Sequence, residues 1–262
     1  MTGTESDLAL AHSLADAADA LTLTRFRAHD LRVETKPDLT PVSDADRNVE
    51  HELRRLLRSA RPSDAVLGEE YGLDGDGPRR WVLDPIDGTK NFVRGIPVWA
   101  SLIALQIDEQ SSVGVVSAPA LGRRWWAGRG LGAHAGRSTW TATEVRVSSV
   151  PQLADAALSY SSLTGWEESG RLEGLLDLGR RVWRTRAFGD FWSHMLVAEG
   201  AVDISCEPEV SLWDLAALQV VVEEAGGRFT DLAGRPHADG GSVVCTNALL
   251  HDEVLAALAA RT

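Results

Sequence analysis

Leu8, Leu10, Ala11, Leu14, Ala15, Ala18 and Leu21 recur at the spacing of one helix face, which predicts an amphipathic first helix from about Ser6 to Arg27. Val49, Leu53, Leu56 and Leu57 predict a second. Ser43 with Asp46 three residues on marks its start, a shortened capping box that puts Asp46 in the first turn. Short apolar runs then replace the helical period. Val66-Leu67-Gly68 reads as a strand delivering Glu69 and Glu70 at its end, and Arg80 to Leu83 as a strand that stops at Asp84. Ser101 to Ile107, Val113 to Ser117 and Arg124 to Ala127, parted by turn residues, predict an antiparallel meander. Gly128-Arg129-Gly130-Leu131-Gly132-Ala133 looks only loosely like a dinucleotide loop and reads as a hairpin after the Trp125-Trp126 strand. Leu73-Asp74-Gly75-Asp76-Gly77 reads as a surface turn, because Pro78 and Arg79 stand where a calcium loop needs other residues.

The second half alternates more regularly. Strands are expected near Ala157 to Ser161, Val182 to Ala187, Ala201 to Ser205 and Ser242 to Cys245. Helices are expected near Glu167 to Arg180, Asp190 to Glu199, Trp213 to Ala225 and Asp252 to Ala260. The Trp213 helix has Ser211 as its N-cap and Asp214 in its first turn; Leu215, Leu218, Val222 and Ala225 form its buried face, and Gly226-Gly227 stops it. With no internal repeat or long linker, one layered α/β or α+β unit over 1–262 is the simplest architecture, its halves meeting near residue 150.

Composition narrows the function. The 262 residues, 44% of them hydrophobic, suffice for a large core. The polar opening from Met1 to Ser6 lacks a secretory pattern, and no run approaches the ~18 apolar residues of a membrane span, so a soluble cytoplasmic protein is expected. Cys206 and Cys245 form no metal-type pair, and the seven histidines show no zinc spacing. A net charge of −12 argues against nucleic acid or an anionic membrane as partner. It also means that a phosphate substrate would need cations supplied locally.

Asp84-Pro85-Ile86-Asp87-Gly88-Thr89 is where such cations fit. Two carboxylates leave a strand end across a turn that Gly88 allows to be close, and Thr89 opens the next segment, whose backbone N–H groups suit a phosphate oxygen. Asp-Pro and Asp-Gly pairs are common in plain turns, but the full run after a strand is less so. Oxygen-only ligands favour Mg²⁺ over zinc.

Gly68-Glu69-Glu70, Asp84 to Thr89 and Trp213-Asp214-Leu215-Ala216-Ala217, with Lys36 to Asp46 upstream and Glu223 to Gly227 downstream, resemble the inositol monophosphatase-like family of Mg²⁺-dependent phosphomonoesterases. The resemblance runs through almost the whole chain. It implies a five-layer αβαβα sandwich of the inositol monophosphatase and fructose bisphosphatase type, and a homodimer. It also implies metal ligation by Glu69, Asp84, the carbonyl of Ile86, Asp87 and Asp214, with Asp84 bridging two Mg²⁺, a weaker third ion, Mn²⁺ as an alternative and Glu70 behind the ligands. Direct attack on phosphorus by a metal-held water, oriented by Thr89 paired with Asp46, needs no covalent phosphoenzyme. Gly88 and Thr89 backbone groups, with Asn91, would bind phosphate. The haloacid-dehalogenase phosphatases need one residue, not two, between their acids.

The substrate must be read elsewhere. In the family's sugar-alcohol phosphatases the position of Asp190 is small and polar, and Glu207 matches a position that contacts the non-phosphate part of the substrate. Two carboxylates suit a cationic leaving group. Arg184 to Phe191, Asn91 to Gly95 and Ala118 to Trp126 resemble the actinobacterial histidinol-phosphate phosphatase branch, which implies hydrolysis of L-histidinol phosphate in histidine biosynthesis. Inositol-1-phosphate or another small sugar phosphate is the alternative, with a bisphosphate third; a silent phosphate-binding scaffold is the non-enzymatic one. Arg184 is expected either at the phosphate or on the strand surface.

Overall fold

The opening amphipathic segment forms α1 (Gly3–Arg25) in the computed structural model, in which residues 3–37 and 40–259 are described. Next comes a hairpin, β1 (Val33–Thr35) against β2 (Pro41–Ser43), whose strands are too short to show a period in the sequence. Asp38 and Leu39 lie outside the described residues, as do Met1 and Thr2 of the opening stretch. Helix α2 (Asp44–Ala60) starts on the expected cap: Asp46 Oδ2 accepts from the Ser43 N–H at 2.8 Å and its hydroxyl at 2.6 Å.

The next strands are β3 (Ala65–Gly68), β4 (Gly72–Asp74) and β5 (Arg79–Asp87), then the single-turn helix α3 (Thr89–Val93). The meander continues as β6 (Ala100–Ile107), β7 (Gln110–Ala118), β8 (Arg123–Gly128), β9 (Ala133–Gly136) and β10 (Thr143–Glu144). Together they make an eight-stranded sheet of order β10-β9-β8-β7-β6-β5-β3-β4. The Gly128 to Ala133 hairpin is present between β8 and β9. Two expectations change. Leu73 and Asp74 belong to β4, which pairs back on β3, so only the residues after them turn. Strand β5 also does not stop at Asp84. Its pairing with β6 passes from Asp84↔Leu102 to Asp87↔Ala100, three steps against two, because Pro85 has no N–H to continue the ladder and the chain bulges before resuming.

The second half supplies β11 (Ala157–Tyr160), α4 (Leu163–Glu168), α5 (Leu172–Arg181), β12 (Arg184–Arg186) and α6 (Asp190–Ala198). After these come β13 (Ile204–Glu207), α7 (Leu212–Glu224), β14 (Arg228–Thr230), β15 (Val243–Thr246) and α8 (His251–Leu258). Their sheet has the order β12-β11-β13-β15-β14. The helix expected over Glu167 to Arg180 is broken into α4 and α5 at Gly170, and Ala260, the expected end of the last helix, lies outside the described residues.

Five layers result. Leu14, Val49 and Leu53 pack α1 and α2 on one face of the large sheet against Trp81, Leu83 and Ile103. Helices α6 and α7 fill the space between the sheets, and Leu175, Leu178 and Val254 close the far side of the smaller sheet from α5 and α8. The single buried face expected of the Trp213 helix is therefore wrong. Leu215 to Val222 are buried all round, since α7 lies between two sheets. No described helix is long and apolar enough to cross a membrane.

His251, fully buried at the start of α8, ties β14 to β15: its ring lies between Thr230 Oγ1 at 2.9 Å and Thr246 Oγ1 at 3.0 Å. Thr230 Oγ1 donates to the Asp231 carbonyl, so it accepts from Nε2–H and leaves Nδ1 to accept from Thr246. Protonating Nδ1 destroys that arrangement. Burial, aided by the Arg228 charge, holds the imidazole down to about 4. The unfolded chain therefore binds a proton near pH 6.5 that the folded chain refuses until about 4. Stability should fall as pH falls across that window. Urea unfolding of wild type and His251→Gln between pH 7.5 and 4.5 tests this; an equally steep fall in the variant would remove His251 as a source.

Candidate metal and phosphate site

Three carboxylates converge beside a cleft of about 340 Å³ between the end of β5 and the starts of α6 and α7, which Asp87 and Asp214 line and behind which Asp84 is buried. Asp84 and Asp87 flank the bulge of β5, and Asp214 comes from the first turn of α7. One oxygen of each lies within 4.8 Å of the others. Each also accepts a backbone N–H: Asp84 Oδ1 from Ile86 at 2.9 Å, Asp87 Oδ2 from Phe191 at 2.7 Å, and Asp214 Oδ2 from Ser211 at 2.7 Å. No Lys or Arg among the described residues pairs with any of the three. Burial raises Asp84 well above the usual carboxylate range, with Glu69, Asp87 and Asp214 adding repulsion. Burial does the same to Asp87, reinforced by Asp190 and Asp214, and lifts Asp214 to about 7. Crowded carboxylates that resist ionising together bind a hard divalent cation readily, and an all-oxygen donor set suits Mg²⁺.

Glu69 stands beside this cluster at the end of β3, and burial raises its carboxyl even though Lys36 opposes the shift. Lys36 Nζ bridges Glu69 Oε1 at 2.7 Å and Glu70 Oε1 at 2.5 Å. Burial pulls the ammonium down, but the two carboxylates outweigh it and the net shift is upward. Glu50, fully buried on α2, holds the turn that carries both acids: Oε2 accepts the Glu70 N–H at 2.7 Å, Oε1 accepts that of Tyr71 at 3.2 Å, and Arg54 balances its charge at 2.7 Å. A Cβ on Gly68 would sit 2.0 Å from Glu50 Oε1, so only glycine fits there. Sequence reading missed Lys36 and Glu50. Glu50 had a signal, since it falls on the helix face of Leu53 and Leu57 with Arg54 four residues on.

Thr89 and Asp46 meet as expected. The Thr89 hydroxyl lies 2.9 Å from the Ile86 carbonyl and 3.3 Å from Asp46 Oδ1, and burial lifts Asp46 to about 6. Gly88 takes a left-handed φ of 83° and lines the cleft with Thr89. Asp190 and Glu207 also line the cleft, the Asp190 carboxylate beside Gly88, and burial and then Glu207 raise Asp190 to about 6.

Two expected residues take other places. Asn91 Nδ2 is taken up by protein acceptors beside Gly88, donating to the Val98 carbonyl at 2.9 Å and Asp190 Oδ2 at 3.0 Å, and Asn91 is not among the residues lining the cleft. Arg184 is exposed on the edge strand β12, its guanidinium over the Trp183 ring at 5.7 Å, and does not line the cleft. It is a strand-surface residue.

A model of the inositol monophosphatase family matches residues 4–262. The chain belongs to that family. Histidinol-phosphatases of Streptomyces coelicolor and Mycobacterium tuberculosis are each 61% identical to it over 253 residues, spanning 95% and 96% of this chain and 95% and 97% of theirs. An inositol monophosphatase from Zymomonas mobilis superposes with a TM-score of 0.86 at 32% identity, over 98% of this chain and 99% of that one. The fold is thus that of the inositol monophosphatases, and the chain is a phosphoric monoester hydrolase.

In this phosphatase Gly68 lets the acid turn after β3 seat against the Glu50 carboxylate. Gly68→Ala should push Glu50 aside and with it the Glu70 and Tyr71 N–H groups. The expected result is a loss of about 1–3 kcal/mol in stability with weaker Mn²⁺ binding by titration calorimetry; unchanged affinity would show that the turn does not depend on Glu50.

Proposed function

We propose that this family member hydrolyses L-histidinol phosphate to L-histidinol and phosphate, using Mg²⁺ held by Glu69, Asp84, the Ile86 carbonyl, Asp87 and Asp214. The observation carrying the substrate is the pair Asp190 and Glu207 in the lining of the cleft, a negative surface matched to a cationic leaving group, in a chain 61% identical to two histidinol-phosphatases. The metal reading rests on the crowding of Asp84, Asp87 and Asp214. Two ions are proposed, with a weaker third and with Mn²⁺ able to replace Mg²⁺; Asp84 would serve both principal ions.

Bound divalent ions would supply Lewis-acid neutralisation of phosphate charge. The chain's own residues do the rest. Thr89 Oγ takes up a proton from the attacking water as it passes its own to Asp46 Oδ1, which is open to it because Oδ2 alone is engaged by Ser43. Asp46 is ionised above about pH 6 and ready to accept. Backbone N–H groups of Gly88 and Thr89 would orient the phosphate. The reading includes a homodimer, implied by the family resemblance, and the cytoplasm, whose reducing conditions suit the free buried thiols Cys206 and Cys245.

Comparison of kcat/KM for L-histidinol phosphate and inositol-1-phosphate tests the substrate, with at least a tenfold preference for the former expected, about 1.4 kcal/mol; equal values would overturn it. Asp190→Asn should erode that preference, whereas Asp87→Asn should abolish both activities. EDTA should stop turnover and added Mg²⁺ restore it. Phosphate release that survives complete chelation would sink the metal assignment, and none under any metal would favour a silent scaffold.

A further inference from the structure

His194 lies in the middle of α6, 1% exposed, among the buried Phe191, Ser193, Met195 and Val197. Its Nε2 is 3.0 Å from Glu207 Oε1 on β13, and both residues line the cleft. Its Nδ1 is buried with no partner. A carboxylate oxygen only accepts, so the ring donates from Nε2. A second proton, on Nδ1, would be buried without an acceptor, a costly state. The imidazole therefore holds Glu207 with the Nε2–H alone.

Asp190 is treated in the same way. Asn91 holds its Oδ2 through an uncharged amide. Lys90 also lines the cleft and acts on Asp190 through its charge, yet no Lys or Arg ion pair to Asp190 or Glu207 occurs among the described residues. Elsewhere this chain secures buried or half-buried acids with cations: Glu50 with Arg54, Asp19 with Arg124, Asp7 with Arg61 and Arg79. Uncharged donors fix the aim of a carboxylate and leave its charge to act on whatever enters.

We propose that His194 is a positioning residue for substrate choice, fixing Glu207 as an uncompensated carboxylate that receives the cationic part of the leaving group. This rests on the proposed L-histidinol phosphate reading. The phosphate end makes no use of His194, so its loss should appear in the binding of the cationic group and not in the chemical step.

The test uses the full chain with saturating Mg²⁺, comparing wild type, His194→Leu and His194→Gln on L-histidinol phosphate and on phenyl phosphate, which has no cation. His194→Leu should raise KM for L-histidinol phosphate by about tenfold, the scale of one lost hydrogen bond to a charged group, with kcat within about threefold. Its KM for phenyl phosphate should move much less. Glutamine places an amide near the position of Nε2 and should recover most of the lost affinity. An unchanged KM for L-histidinol phosphate in His194→Leu would overturn the proposal, as would parallel losses on both substrates in both variants, which would make His194 a fold residue. Wild-type enzyme that hydrolyses phenyl phosphate but not L-histidinol phosphate would overturn the substrate reading itself, and the proposal with it.

Discussion

Repulsion among buried carboxylates is the constraint around which this molecule is arranged. Asp84, Asp87 and Asp214 are brought within 4.8 Å, with Glu69 beside them, at a cost that only surrounding structure can sustain. Each acid is pinned by a backbone N–H belonging to a bulge or a helix start, so the secondary structure and not side-chain flexibility sets where the charges point. The central helical layer matters for the same reason. Helix α7 is apolar on every side and locked between two sheets, which makes its first turn a rigid mount for Asp214.

The phosphate end and the leaving-group end are joined through α6. Phe191 gives its N–H to Asp87, while the preceding Asp190 lines the cleft beside Gly88, so one backbone turn serves both. Asp190 itself adopts a positive φ of 49°, uncommon for a residue with a side chain. A shift in this turn would displace Asp87 and Asp190 together, whereas Glu207 and His194 are held to each other from β13 and from farther along α6.

What was legible in the sequence was whatever a local pattern could carry. Both capping boxes, the meander and the Asp84 to Thr89 turn depend on neighbours in the chain, and the ordered segments around Glu69, Asp84 and Asp214 were enough for the family. Long-range packing was not legible. Whether α7 had one buried face or several depended on a second sheet, and the course of Asn91 depended on Asp190, 99 residues away. The Pro85 bulge was missed for a different reason: a proline that interrupts a ladder looks locally like the end of a strand. Charge alone leaves Arg184 open between the phosphate and the strand surface; what decides is that β12 lies at the sheet edge, where a guanidinium finds solvent and the Trp183 ring.

Lys36 reaches across 33 residues of chain to Glu69 and binds Glu70 as well. In terms of assembly order, the hairpin of β1 and β2 is thereby clipped to the end of β3 by a cation the chain carries itself. The turn that presents Glu69 can form before any ion arrives, unlike a structural zinc module, whose fold waits for its metal.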